Sequence, residues 1–144
     1  MRDPEYLPAG GGALDFGGEG HAVELDTFPH EYASDPESPH VAVTRKRMED
    51  ISPHSKHLAV ADIPRGFPRD VWHPVRVDLR EGVLSVSFGG EQVISDFHIP
   101  DFTPSVGYIG FTAATGGGYQ RHLVRPIRFR FPPFEDAPDS PAGR

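Results

Sequence analysis

Glu24, Asp26, Asp35 and His40 are the residues of this chain whose types and spacing suit metal chemistry. Three carboxylates and one imidazole make a mixed oxygen and nitrogen set, the combination that suits a divalent ion of the manganese or zinc kind. Oxygen donors from Asp26, Asp35 and the main-chain carbonyl of Phe28 would suit a neighbouring calcium. The same stretch also reads as an ordinary strand and loop with a few surface acids, in which His40, following Pro39, is a solvated turn residue.

The elements around these residues must bring them together for a metal to be held. Val23 and Leu25 alternate with Glu24 and Asp26, the period of a strand that buries one face and turns the other outward, so both carboxylates share a face. Pro29, Asp35, Pro36 and Pro39 reverse the chain, and His40-Val41-Ala42-Val43 restarts the alternation with His40 and Ala42 opposite Val41 and Val43. Pairing the two strands sets His40 beside Glu24 and Asp26.

Composition limits what such a site could serve. A chain of 144 residues with 37% hydrophobic content is one domain with a core of modest size. Gly and Pro number 16 each, which argues for short strands and many turns, and no long segment carries a helical period. A net charge of −7 and a pI near 5.5 disfavour nucleic acid or an anionic membrane as the main partner. The absence of Cys removes disulfides and thiolate metal sites. No stretch approaches the roughly 20 apolar residues of a membrane span, so membrane insertion is not expected. The N-terminus lacks the apolar core of a secretory signal.

Further along, Gly10 to Gly18 is a glycine-rich segment with Leu14 and Phe16 as apolar anchors, the composition of a flexible linker. His57 to Ala61 is a short strand. His54 and His57, three apart without a helix to align them, read as surface residues. The strongest pattern runs from Val71 to Phe88: Val71, His73, Val75, Val77 and Leu79 alternate with polar residues, Glu81-Gly82 turns, and Leu84, Val86 and Phe88 resume. This predicts a β-hairpin closed by Gly89-Gly90, with Gln92 to Ile94 as an extension and Asp96 to Ser105 as a loop. Tyr108 to Ala113 and Leu123 to Phe131 are two further expected strands around a glycine loop at Gly116 to Gly118. No helix follows those glycines, which excludes a phosphate-binding loop.

With these residues in place, the stretch from Glu24 to His40 resembles the metal and sugar loop of the legume (L-type) lectins. The family pattern is Glu-x-Asp-x-aromatic-x-Asn, then Asp-Pro, then His and an apolar strand; Glu24, Asp26, Phe28, Asp35, Pro36 and His40 match it. The resemblance implies a transition metal, manganese in kind (Mn2+), on Glu24, Asp26, Asp35 and His40. It implies calcium (Ca2+) on Asp26, the Phe28 carbonyl, Asp35 and the position of His30. The family has Asn at that position, holding calcium through its oxygen and the sugar through its amide. Imidazole offers no oxygen to a hard cation, so the calcium site lacks one ligand and the sugar one contact.

A second block, Gly107 to Gly116 followed by Gln120 to Val124 and Phe129, is similar to the family's closing strands and fourth sugar loop. It departs at Arg125, Pro126 and Ile127, where Leu, Ser and Trp are common. By this resemblance the sugar contacts fall on Gly12, Phe28, the position of His30, Gly117 and Gly118, with Phe28 stacking on the sugar ring. The implied fold is all-β, a concanavalin A-like jelly-roll sandwich of two antiparallel sheets. Residues 1–20 would form the lead-in, 21–131 the lectin-like domain and 132–144 a disordered tail. Family members carry further strands upstream, with an Asp that bonds the sugar, so the chain is expected to be the C-terminal part of such a domain. The implied function is carbohydrate binding, with glycans or glycoproteins as partners and a secreted or extracellular location; a homo-oligomer is open.

The rival readings are a β-sandwich interaction module without sugar binding and a glycoside hydrolase of the same fold. Retaining hydrolases of that fold use Glu-x-Asp-x-x-Glu, because nucleophile and acid must flank the bond about 5–5.5 Å apart. Here the last position is Pro29, so no catalytic residues are expected.

Overall fold

The hairpin written into residues 75–88 forms as its turn chemistry demands. In the computed structural model, which describes residues 19–28, 36, 39–47, 56–63, 67–115 and 120–131, strands β4 (Val75–Arg80) and β5 (Val83–Phe88) pair antiparallel, and β6 (Glu91–His98) pairs with β5. Each turn has two residues, and both are at positive φ: Glu81 at 49° with Gly82 at 80°, and Gly89 at 62° with Gly90 at 90°. That is the φ signature of the type I′ turn, whose twist matches that of the flanking strands. β6 runs to His98 rather than ending near Ile94, so the expected loop begins only after it.

β1 (Gly20–Asp26), β2 (His40–Lys46) and β3 (Lys56–Asp62) form the other sheet, antiparallel with β2 in the centre. The expected short strand at His57 is thus a full member of a sheet. Among the described residues there is no helix, in keeping with the Gly and Pro content.

One apolar cluster joins the two sheets. Val41 and Val43 from β2 pack with Leu84, Val86 and Phe88 from β5 and Ile94 from β6. Val23 and Leu25 extend the cluster along β1, and β3 lies beside β6. The molecule is therefore an all-β arrangement of two antiparallel three-stranded sheets, compatible with a β-sandwich.

Two expected strands are not observed. Residues 103–115 and 120–131 carry no strand, and their large apolar side chains are exposed, from Val106 at 91% to Ile127 at 49%. Alternation marks a segment that could cover a core, but a strand also needs a sheet edge to pair with, and residue pattern alone does not supply one. Val71 and His73 likewise lie outside the hairpin, before β4. Pro74 has no N–H to give a ladder, although its carbonyl still accepts from Gly89 N at 2.9 Å.

Candidate functional site

The pairing of β1 with β2 sets Asp26 directly opposite His40 and Glu24 opposite Ala42. Because side chains alternate along each strand, Asp26, Glu24, His40, Ala42 and Thr44 share the face turned away from the core. The expected register is the observed one, and it brings three of the four metal-type residues to one face. Asp35 lies outside the described residues, as do Gly12, His30, Gly117 and Gly118.

The face is not the solvated surface that ordinary strand acids would occupy. As the central strand, β2 is enclosed on both sides: His40 is 1% exposed, and Ala42 and Thr44 are fully buried. His40 is therefore a buried side chain and not a solvated turn residue. Its Nε2 is hydrogen-bonded to none of the described residues. Glu24 is fixed through the Thr44 hydroxyl, which donates to its Oε1 at 3.0 Å. Asp26 accepts a bond from the Phe28 main-chain N–H on Oδ1 at 2.8 Å, so this carboxylate also shapes the chain as it leaves β1. Phe28 itself is 56% exposed.

His57 is the residue that the sequence pattern missed. Simple alternation places it with Ala59 and Ala61 on the core face, and the spacing to His54 suggested only a surface position. The pairing of β2 with β3 shifts at Val43/Thr44: Val43 faces Ala59, but Thr44 faces His57, which leaves Leu58 as the extra residue of a bulge. Leu58 packs on the core and His57 goes to the opposite face. There its Nε2 lies 3.7 Å from Glu24 Oε2, and its ring meets that of His40 edge-on with centroids 5.9 Å apart. Both partners of the Glu24 contact are largely enclosed, at 17% and 10% side-chain exposure.

The donor chemistry here fits a divalent transition metal, since carboxylate oxygens and imidazole nitrogens lie on one enclosed face. Among the described residues, no group of three or more His, Asp or Glu side chains is placed to hold a metal ion. For calcium, Asp26 and Phe28 are placed next to each other, while the remaining expected donors lie outside the described residues.

One long-range contact ties the second block to this corner. Thr27, between Asp26 and Phe28, donates its hydroxyl to Gln120 Oε1 at 3.3 Å across 93 residues of sequence. Gln120 sits just after the glycine loop, so the chain leaving that loop passes beside the end of β1. Comparison of the chain with family models, with curated proteins and with solved structures finds no match.

Proposed function

We propose that this chain is a non-catalytic carbohydrate-binding domain of the L-type lectin kind, a jelly-roll sandwich whose sugar loop is held by a metal ion. The observation that carries the reading is the cross-strand register: Asp26 opposite His40, with Glu24 on the same enclosed face. The bond from Thr27 to Gln120 supports it, because a sugar site of this kind needs the metal loop and the glycine loop side by side.

In this reading Glu24, Asp26, Asp35 and His40 hold the ion, and the ion's contribution is to crosslink strand and loop so that the sugar meets a preformed surface. Phe28 offers its exposed ring to the apolar face of the sugar. The backbone of Gly12, Gly117 and Gly118 contributes polar contacts. No carboxylate pair serves as nucleophile and acid, since Glu24 is engaged by Thr44 and Pro29 stands where a second Glu is needed.

The test is metal content followed by glycan binding. After dialysis against transition-metal ions and then metal-free buffer, the protein should retain one ion per chain, and Asp26→Ala should retain none. Equal retention by Asp26→Ala would sink the metal site. Sugar affinity should be weak, because His30 lacks the Asn amide, and one such hydrogen bond to a charged or polar partner is worth about 1.5–3 kcal/mol, roughly one to two decades. His30→Asn should therefore tighten both calcium and sugar. Metal retention without glycan binding in either protein would leave the interaction module as the correct description.

A further inference from the structure

We infer that residues 102–115 and 120–131 form a cationic, apolar surface that rests on an anionic lipid bilayer without spanning it. The inference goes beyond the carbohydrate reading and needs no metal ion.

A local reversal of charge coincides here with exposed apolar side chains. The chain holds 14 basic and 21 acidic residues, yet residues 102–131 contain Arg121, Arg125, Arg128 and Arg130 and no acid at all. All four Arg are exposed. Over the described part of the same stretch, nine large apolar side chains are exposed as well, each by 49% or more. Apolar exposure on that scale marks a surface that meets a partner. The Phe111 and Phe129 rings, 6.4 Å apart, bring the two segments together, and Phe129 and Phe131 lie nearly parallel at 6.4 Å with Arg130 between them in sequence. Two contacts tie the surface to the rest of the molecule: Thr27 to Gln120 at 3.3 Å, and the Arg125 guanidinium 4.0 Å above the Trp72 ring.

This pairing of residue types fits a lipid interface. Apolar side chains enter the boundary between headgroups and acyl chains, while Arg lays its stem along them and keeps its guanidinium at the level of the phosphates, which it binds with two parallel hydrogen bonds. The net charge of −7 belongs to the whole chain. Screening limits its reach to about 8 Å at physiological salt, so a headgroup against this surface meets the four Arg first, and the acids elsewhere turn the opposite side of the molecule away. Other occupants fit less well. A nucleic acid stacks on flat side chains and leaves Val106, Ile109 and Ile127 without a partner. A second copy joined by a two-fold axis would set these Arg residues against one another.

Cosedimentation of the full chain with vesicles tests this, with the chain's one Trp, Trp72, as a fluorescent reporter beside Arg125. The protein should bind vesicles of phosphatidylcholine mixed with phosphatidylserine and not vesicles of phosphatidylcholine alone, and added salt should weaken the binding. Trp72 emission should shift to the blue on binding. Each Arg near an anionic surface contributes roughly fivefold, so Arg128→Gln with Arg130→Gln should weaken binding by about tenfold or more. Phe129→Ser with Phe131→Ser should weaken it as much, whereas Arg76→Gln, a cation outside the surface, should change it by less than about twofold. Melting curves that coincide with that of the unaltered chain show that each variant is folded. No binding to the anionic vesicles, equal binding to both kinds, or unchanged binding by the Arg128→Gln, Arg130→Gln variant overturns the inference. So does sedimentation of the chain as a dimer that Phe129→Ser dissociates, in the absence of vesicle binding, since the surface is then an interface between copies.

Discussion

At the scale of single residues, enclosure decides what a side chain can do. His21, the second residue of β1, lies toward Phe102, with the two rings 6.3 Å apart. Desolvation of the imidazole, and then the guanidinium groups of Arg45 and Arg47, hold it below its ordinary value. The folded state therefore binds this proton less readily than the unfolded chain. Its contribution to stability is complete above the unfolded value near 6.5 and declines as pH falls through it. His21→Gln should make the loss of stability between pH 7.5 and pH 5.5 shallower than in the unaltered protein. Urea midpoints across that range check it, and a parallel offset with no change of slope would show that His21 does not contribute. Arg76 and Asp78 show the opposite limit. Their paired bonds at 2.6 and 2.9 Å lower the Asp78 carboxyl, but the pair stands in solvent on the outer face of β4 and carries little stability.

Among the elements, the two tight turns of the second sheet make a controlled comparison. Gly82 and Gly89 both need positive φ, so both penalise any residue with a Cβ. They differ in surroundings. A Cβ on Gly82 would lie 3.0 Å from the Phe102 Cβ and Cδ1 atoms, whereas one on Gly89 would meet nothing within 4 Å. Gly89→Ala should cost about 1 kcal/mol from backbone strain alone. Gly82→Ala should cost about 2–3 kcal/mol, since the Phe102 ring must also move and the bond from Ile99 N to Gly82 O at 2.8 Å is anchored there. Chemical denaturation of the two variants measures the difference; equal losses would show that the Phe102 contact carries no energy. The bulge in β3 is the other decisive element, because one extra residue exchanges Leu58 and His57 between the core and the site.

Over the whole molecule, the two sheets depend on one shared core. Val43 in β2 and Val86 in β5 are both almost completely buried in the same cluster. Val43→Ala and Val86→Ala should each lower stability by about 2 kcal/mol and should both shift one common transition. Two separable transitions, each moved by only one substitution, would mean that the sheets fold independently. β4 shows the limit of that core: Val75, Val77 and Leu79 stand opposite the buried Phe88, Val86 and Leu84, yet each is more than 40% exposed. The apolar side chains of residues 106–111 and 123–131 are exposed as well, with the rings of Phe111 and Phe129 at 6.4 Å between centroids.

Local chemistry was enough for much of this. The alternation around Glu24 and around His40 determined which residues of β1 and β2 share a face, and the turn residues Glu81-Gly82 and Gly89-Gly90 determined the hairpins, because a period of two and a requirement for positive φ are properties of a few neighbouring residues. Three things only the tertiary structure decided. Enclosure made His40 a buried imidazole, which depends on what packs over the central strand and not on the strand itself. Pairing was absent from residues 108–113 and 123–131, since apolar alternation describes a face but not a partner. The bulge placed His57 beside Glu24, since register between β2 and β3 is set by the fit of Leu58 into the shared core, and a one-residue slip moves every following side chain to the other face.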